Sequence, residues 1–378
     1  MGSYTDVALI HEEVAVAPAF GSSLPVPNVQ EIVKCDPLHV PERYLIKNQE
    51  DMPNGADNTC KLSSEIPTID FSLLSRGHKE ELTKLDLACK EWGFFQFHTK
   101  EWPTSRNSLN ATFQVKSALL QMVNHRVATE VLQGMKDAAA KFFELPVEEK
   151  NKVAMTSDDI QGYGHAYVVS EEQILDWSDL LFLIVYPSQY RKLKFWPTTP
   201  EEYKEAIEAY SIEVKRVGEE LIRHISLIMG MEKDALLALH QELVQGVLVN
   251  YYPPCCMPDK VLGKSPHSDT STITILMQED NITGLQIRKE GEWVPIWSNG
   301  KYKSIEHRAV TTESKARLSY ATFLFPHDDV EVEPFDHMVE SPGSLRMYKK
   351  VRYGDYLRQS LKRKMEGKAH TNAAKTAS

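Results

Sequence analysis

The spacing of apolar residues along the chain changes near residue 245. Before that point, VATEVLQGMKDAAAKFFEL and the segment after Thr199 repeat apolar residues every three to four positions, as helices with one buried face do. After it, VLVNYY, STITILMQ, GLQIR and ARLSYATFLF alternate apolar with polar residues, as half-buried strands do. The pattern predicts a mixed α/β (α+β) protein with a helical N-terminal layer before an all-β core.

Local signals predict particular elements in the first half of the chain. IPTIDFSLL (66–74) predicts a strand. Leu180–Tyr186 is an apolar run far too short to cross a bilayer, and it predicts a buried strand. Thr199-Pro-Glu-Glu predicts the start of a long helix, with Thr199 as N-cap and Glu202 as its capping-box partner.

Composition and pattern divide the chain into four predicted regions. Residues 1–24 contain small residues without a period and predict a flexible N-terminus. Helices and strands are predicted over 25–230, the β core over 231–335, and a C-terminal helix and tail over 336–378. Within the second region, residues from about 97 to 121 are polar and patternless, which predicts a solvated loop.

Charge and cysteine content narrow the class of protein. The 378 residues carry a net charge of −10, which argues against a general nucleic-acid or membrane-surface binder. The N-terminal stretch has acidic residues where a secretory signal carries positive charge. Five cysteines without paired spacing indicate free thiols in a reducing compartment. We therefore expect a cytoplasmic protein with a small-molecule substrate and no protein, nucleic-acid or membrane partner.

Candidate chemistry begins with SPHSD (265–269), where a polar run precedes the alternating segment STITILMQ. On a strand, positions two apart share a face, so His267 and Asp269 would face the same enclosure. His307 lies on another predicted strand, KYKSIEHRAV. Each of these residues alone is more often an ordinary turn or strand residue. Two imidazoles and one carboxylate from neighbouring strands, however, form the facial triad of non-haem Fe(II) oxygenases.

A second pair of residues fits that interpretation. Three protein ligands on one face of an octahedral ion leave positions for a chelating 2-oxo acid and for dioxygen, whereas zinc sites usually leave one position open. Arg317 and Ser319 lie two apart on ARLSYATF. A guanidinium binds a carboxylate through paired, planar hydrogen bonds, so Arg317 suits the far carboxylate of such an acid. Tyr252, from the NYY strand, can supply a third donor.

Quoted segments in fixed order identify a family resemblance over roughly residues 25–368. They are IPTIDFSLL, ACKEWGFFQ, FFELPVEEK, LDWSDLLF, NYYPPC, PHSD, SNGKYKSIEHRAV, RLSYATF and YGDYLRQSLKRK. This series resembles the plant 2-oxoglutarate- and Fe(II)-dependent dioxygenases, in particular the S-norcoclaurine synthase-like and alkaloid O-demethylase-like group. The resemblance implies a double-stranded β-helix (jelly roll) with flanking N-terminal helices. It also implies site residues: His267, Asp269 and His307 for iron, and Tyr252, Arg317, Ser319 and Asn250 for 2-oxoglutarate.

The implied reaction is the hydroxylation or O-demethylation of a small specialised metabolite. The resemblance implies Fe(II), with 2-oxoglutarate and O2 as cosubstrates, succinate and CO2 as co-products, and ascorbate as reductant. We expect Phe323, Leu276 and Tyr163 to line the substrate pocket, although such residues belong to the core by default.

Two stretches depart from the family pattern. One is the insertion at about 97–121; the other follows EGEWVPI, where Trp297 begins the next family segment without the intervening buried strand. We therefore expect a core that lacks one strand and has unpaired edges. This leaves an alternative, a catalytically impaired or inactive paralogue or misassembled product that retains the metal ligands. A third possibility is an oxidase of the same fold that does not consume 2-oxoglutarate, which the Arg-x-Ser pair disfavours.

Overall fold

Antiparallel strands form two main sheets and one short ribbon. The computed structural model describes residues 23–47, 67–92, 125–165, 168–278, 284–288, 306–339 and 346–362. The strands are β1 Gly162–Gly164, β2 Asp179–Tyr186, β3 Val244–Tyr252, β4 Leu262–His267, β5 Ile273–Gln278, β6 Leu285–Arg288, β7 Glu306–Val310, β8 Arg317–Phe325, β9 Glu331–Val332 and β10 Val351–Arg352. The larger sheet has the order β1-β2-β3-β8-β5, the smaller sheet β4-β7-β6, and β9 pairs with β10.

Helices precede, interrupt and follow these strands. They are α1 Val29–Cys35, α2 Phe71–Ser75, α3 Lys79–Leu87, α4 Thr129–Glu144, α5 Val147–Asn151, α6 Tyr203–Ile228, α7 Ala235–Ala238, α8 Asp336–Val339 and α9 Tyr353–Lys362. None of the helices in the described ranges is both long enough and apolar enough to cross a membrane.

Alternation along β8 separates a helix-packed face from an inner face. Leu318, Tyr320 and Leu324 are buried in the main core, together with apolar residues of α4 and α6. The alternate residues of β8 (Arg317, Ser319, Ala321, Phe323) point to the other side of the sheet. The neighbouring strands have the same two faces, because register partners in a sheet point to the same side. Tyr252 of β3 pairs with Arg317, and Thr274 of β5 pairs with Phe323.

The buried strand predicted at Leu180–Tyr186 is confirmed as part of β2. The strand predicted over 66–74 is wrong from Phe71 onward, because Phe71–Ser75 forms helix α2. The side chain of Asp70 accepts hydrogen bonds from the backbone N–H groups of Ser72 and Leu73. This N-cap fixes a helical turn where the apolar spacing alone suggested extended backbone.

The long helix predicted after Thr199 is present, but it begins at Tyr203. Glu202 makes no capping hydrogen bond there. Its carboxylate instead forms an ion pair with Lys141 of α4. A tertiary contact between two helices therefore replaces the predicted capping box.

The larger sheet combines strands from two of the predicted regions. β1 and β2 lie in the predicted N-terminal region (25–230), yet β2 pairs with β3 from Asp179↔Tyr251 to Tyr186↔Gln245. Strands from the predicted β core (231–335) therefore extend the same sheet as β1 and β2 of the predicted N-terminal region.

The two predicted departures from the family pattern lie outside the described residues. The insertion at about 97–121 falls in the gap between residues 92 and 125, and the stretch around Trp297 falls between residues 288 and 306. Among the described residues, β5 pairs only with β8, and β6 pairs only with β7. The missing strand stays a prediction.

Candidate metal centre and cosubstrate site

His267, Asp269 and His307 meet at one end of the smaller sheet. His267 of β4 is the register partner of His307 of β7, and their ring centroids are 4.3 Å apart. The Nε2 atoms of both histidines lie 3.7 Å from Oδ1 of Asp269. One ligand atom from each of the three residues lies within 4.8 Å of the other two. The structure thus brings together the three residues that the sequence suggested as a metal site.

The local backbone differs from the predicted one. His267 is the last residue of β4, and the next strand, β5, begins at Ile273 in the larger sheet. Asp269 therefore lies in the connection between the two sheets and does not share a strand face with His267. The loop conformation, rather than strand alternation, turns its carboxylate towards the two imidazoles.

A backbone carbonyl fixes the tautomer of His267. The Nδ1–H group of this ring donates to the carbonyl oxygen of Ser265 over 2.8 Å. In the neutral ring, the lone pair is then on Nε2, the atom that faces Asp269. Burial and the neighbouring His307 lower the pKa of His267 below its usual value, so the ring is neutral at physiological pH. A neutral imidazole with a free Nε2 lone pair is the form that binds metals.

The donor set fits a ferrous ion. Two imidazole nitrogens and one carboxylate oxygen are the ligands of the facial triad, which leaves three coordination positions for other molecules. Among the described residues, this is the one group of three or more His, Cys, Asp or Glu side chains that is arranged to hold a metal ion.

A second cluster lies where β3 and β8 pair. Tyr252 is opposite Arg317 and Asn250 is opposite Ser319, so all four side chains occupy the inner face. Ser319 Oγ donates to Tyr252 Oη, and Asn250 Nδ2 donates to Ser319 Oγ, each over 3.4 Å. The guanidinium carbon of Arg317 lies 4.1 Å from the centre of the Tyr252 ring. The structure therefore assembles the four predicted cosubstrate residues in one place.

Two glycines, which the sequence reasoning missed, make room for this cluster. A Cβ atom at Gly284 would lie 2.3 Å from Nε and Cζ of Arg317. A Cβ atom at Gly263 would lie 2.6 Å from Cδ1 of Tyr252. Gln278 at the end of β5 adds an acceptor, because Arg317 donates to its Oε1 atom over 3.1 Å. The glycines give no signal of this role in the sequence, since it depends on strands that are distant along the chain.

A cavity of about 200 Å³ adjoins the metal centre. Its walls come from β2, β3, β8, the His267–Ser271 segment and the C-terminal helix α9. Most of the lining is apolar or aromatic: Met155, Ile160, Leu180, Phe182, Leu248, Phe323, Phe325, Tyr353, Leu357 and Leu361. Such a concave, mainly apolar space next to a few polar groups is typical of a small-molecule site.

The three predicted pocket residues have different positions. Phe323 lines the cavity, where its ring makes an edge contact with Phe182. Tyr163 is 1% exposed and packs against Phe142 and Phe143, because its register partner Leu181 faces the helices. It belongs to the core and not to the cavity, which corrects the prediction. Leu276 lies on the inner face opposite Ala321 but is not part of the cavity lining.

Antiparallel sheets with a His-Asp-His centre and an adjacent Arg-Ser-Tyr cluster define the class of non-haem iron oxygenases. The chain belongs to the 2OG-Fe(II) oxygenase superfamily, whose family model matches residues 244–326. Residues 114–199 match the family described as non-haem dioxygenase in morphine synthesis N-terminal. The protein is therefore a member of the 2-oxoglutarate-dependent dioxygenases, a family of oxidoreductases that use Fe(II) and 2-oxoglutarate.

Known proteins resemble this chain over nearly its full length. It is 36% identical to S-norcoclaurine synthase 1 of Coptis japonica over 371 residues, which cover 92% of this chain and 96% of that protein. It is 34% identical to codeine O-demethylase of Papaver somniferum, with 94% and 98% covered. The crystal structure of JOX2 in complex with 2OG, Fe and JA matches with a TM-score of 0.78 and 27% identity, covering 94% of this chain and all of that one. The resemblance stated from the sequence is confirmed.

Proposed function

We propose that this enzyme hydroxylates or O-demethylates a small specialised metabolite, using O2 and 2-oxoglutarate and releasing succinate and CO2. His267, Asp269 and His307 hold the iron in this proposal. Bound iron and 2-oxoglutarate supply the oxidising chemistry, and the protein supplies position and a water-poor pocket. The observation that carries the proposal is the convergence of the three donors beside an apolar cavity, with a Nδ1–H donor already fixing the lone pair of His267.

Arg317, Ser319 and Tyr252 bind the far carboxylate of 2-oxoglutarate in this proposal. The guanidinium provides two parallel N–H donors, and the Tyr252 hydroxyl provides an O–H donor next to it. The Ser319 hydroxyl, which donates to Tyr252 Oη, would turn to donate to the carboxylate. Asn250 orients the hydroxyl of Ser319 through its 3.4 Å hydrogen bond. Because Arg317 is buried, a bound carboxylate would interact with it in an environment of low effective dielectric.

The cavity supports a substrate that is mostly apolar. Phe182 and Phe323 contribute ring faces and edges, on which an aromatic substrate can pack. Lys264 is the one cationic side chain among the described lining residues, and its ammonium group lies 3.2 Å from Asp176. A neutral ring system therefore suits these walls better than a carboxylic acid does. The relative codeine O-demethylase supports O-demethylation as one of the two reactions.

We further propose that the two main sheets are the halves of a jelly roll, that residues 25–230 form the flanking N-terminal region, and that α9 closes the substrate side. Contacts between the sheets support this arrangement, because Gly263 of β4 lies against the ring of Tyr252 in β3, and Gly284, next to β6, lies against the guanidinium of Arg317 in β8. The similarity to a solved 2OG and Fe complex supports it as well.

A cytoplasmic location and ascorbate as reductant complete the proposal. The free thiols of Cys35, Cys89, Cys255 and Cys256 support a reducing compartment. We expect the enzyme to act on a small molecule without a nucleic-acid, membrane or protein partner.

The proposed function is tested with the purified chain, Fe(II), ascorbate and 2-oxoglutarate. A panel of neutral aromatic metabolites, each with and without a methoxy group, is assayed for succinate release. Succinate that depends on a panel member supports the proposal, and equimolar formaldehyde identifies O-demethylation. Bound iron without substrate-dependent succinate across the panel would favour the impaired paralogue. Substrate oxidation that continues without 2-oxoglutarate would favour the oxidase.

A further inference from the structure

Asp176 makes three contacts next to the metal centre that no part of the proposed reaction uses. Its Oδ1 atom accepts hydrogen bonds from the backbone N–H of Ser265 at 2.7 Å and from the Ser265 hydroxyl at 2.5 Å. Its Oδ2 atom lies 3.2 Å from Nζ of Lys264. Asp176 comes from the segment LDWSDLLF, 89 positions before Ser265. A carboxylate from the N-terminal region is thus bound to the strand that ends at His267.

The backbone of β4 explains why a carboxylate is needed at this place. Pairing between β4 and β7 is irregular, with a register shift between Lys264 and His267. Pro266 lies inside the irregular stretch and has no N–H group to donate. Trp177 binds the preceding part of β4, since its backbone N–H donates to the carbonyl oxygen of Leu262 over 2.9 Å. Asp176 accepts a hydrogen bond from the N–H of Ser265 at the point where the pairing of β4 with β7 is irregular.

The contact continues from Ser265 to the metal centre. The carbonyl oxygen of Ser265 accepts the Nδ1–H of His267, the bond that places the lone pair on Nε2. The unbroken path is therefore the Asp176 carboxylate, the N–H and hydroxyl of Ser265, the Ser265 carbonyl and the imidazole. Hydrogen-bond partners behind a metal ligand fix its orientation and tautomer.

We propose that Asp176 is a positioning residue for the metal centre: it anchors Ser265 so that the Ser265 carbonyl orients the ring of His267 towards the ion. The inference rests on the proposed role of His267 as an iron ligand. Loss of a partner behind a metal ligand typically weakens metal binding by about 10- to 100-fold. Asp176 is neither in the His-Asp-His group nor in the cavity lining, so we expect its effect to be on affinity for the metal.

Lys264 balances the charge of this carboxylate. Both side chains are largely buried, with 9% of Lys264 and 12% of Asp176 exposed. Removing the carboxylate alone would leave an ammonium group buried beside the cavity, which carries its own cost. Asp176→Asn combined with Lys264→Met removes both charges and keeps an acceptor oxygen for Ser265. This double variant separates the hydrogen bond from the ion pair.

The test measures Fe(II) affinity of the full-length metal-free protein by anaerobic equilibrium dialysis, without substrate. Asp176→Ala is expected to weaken Fe(II) binding by about 10- to 100-fold, and the double variant is expected to retain most of the parent affinity. Asp70→Ala is the matched control, because Asp70 Oδ1 likewise accepts the N–H and the hydroxyl of one serine, Ser72, at 2.9 and 2.8 Å. It should bind Fe(II) as the parent does.

Parent-like Fe(II) affinity in a folded Asp176→Ala protein would overturn the inference, as would an equal loss in Asp70→Ala. If Asp176→Ala does not fold, Ser265→Ala decides, since it removes only the hydroxyl bond: a smaller but measurable loss supports the inference, and unchanged affinity overturns it. The variant His267→Ala tests the role of His267 as an iron ligand separately from the role of Asp176. If that variant also binds Fe(II) as the parent does, the metal assignment itself has failed.

Discussion

The guanidinium of Arg317 packs directly on Gly284, with no room for a methyl group between them. Gly284 has no left-handed backbone angle, so alanine would meet only a steric obstacle there. Gly284→Ala is therefore expected to displace Arg317 from the position in which it would bind 2-oxoglutarate. Because a misplacement of about 1 Å can cost two orders of magnitude, we expect the KM for 2-oxoglutarate to rise at least about tenfold.

Steady-state kinetics with varied 2-oxoglutarate provide the measurement, and Fe(II) binding provides the control. Gly284→Ala should take up iron as the parent does, since its methyl group is directed at Arg317 and not at the histidines. An unchanged KM for 2-oxoglutarate would mean that Arg317 does not hold the cosubstrate.

A second His-x-Asp pair shows how much a sequence can say about single residues. Nδ1 of His327 lies 3.7 Å from Oδ2 of Asp329, the separation also found between His267 and Asp269. Yet His327 Nδ1 already accepts the N–H of Asp329, and the Asp329 carboxylate pairs with Arg352. The motif alone therefore does not identify a metal site. The prediction at residue 267 rests on more than the motif, because His307, Arg317 and the family order add independent signals.

Helix α6 packs against the larger sheet through Gly218. A Cβ atom there would lie 2.1 Å from Cδ1 of Leu324, which is fully buried in the main core. Gly134 in α4, in contrast, has nothing within 4 Å of such an atom. We expect Gly218→Ala to lower the free energy of unfolding by about 1–3 kcal/mol through overpacking. Gly134→Ala should raise it by about 0.5–1 kcal/mol, because alanine favours the helix.

Urea unfolding of the two variants measures this difference, with the parent as reference. Opposite signs support the packing of α6 on β8 at Gly218. A stabilising effect of similar size in both variants would contradict it, since helix propensity alone would then account for the result.

At the scale of elements, the apolar period predicted α4, α6 and β2 because each buries one face or both over several residues. It failed at 71–75, where the Asp70 cap decides the local structure, and at Glu202, where Lys141 competes for the carboxylate. The apolar pattern also did not predict which sheet each strand joins. His267 ends a strand of one sheet while Ile273 begins a strand of the other, and alternation does not reveal such a crossing.

Across the whole molecule, Asp179 of β2 ties the N-terminal helix to the larger sheet. Its buried carboxylate accepts the N–H groups of Val29 and Gln30 over 2.8 and 2.9 Å, across about 150 positions of sequence. Gln30 in turn accepts a hydrogen bond from the buried ammonium of Lys150 over 2.7 Å. Sequence patterns did not predict this network, since it depends on contacts between three distant segments.

This network makes stability depend on pH. Burial raises the pKa of Asp179 to about 6, and the N–H donors of Gln30 and Val29 offset part of the rise. An acid with a raised pKa in the folded state stabilises the fold when protonated, and that contribution is lost as pH rises through about 6. Relative to Asp179→Asn, the parent should therefore lose up to about 3 kcal/mol between pH 4 and pH 7.

Urea unfolding of parent and Asp179→Asn at a series of pH values checks the sign. Nε2 of His165 lies 3.5 Å from the same carboxylate, so the comparison is repeated in His165→Gln. A parent that gains stability over the variant as pH rises would contradict the expectation, because the ionised carboxylate would then be the favoured form.

Iron stoichiometry after anaerobic loading and desalting tests the central claim most directly. The parent should retain one Fe(II) per chain, and Asp269→Ala should retain about tenfold less, because one of three ligands is gone. Asp329→Ala removes the carboxylate of the other His-x-Asp pair and should retain iron as the parent does. Equal iron in the parent and in Asp269→Ala, or no iron in the folded parent, would contradict the assignment of His267, Asp269 and His307 as the metal centre.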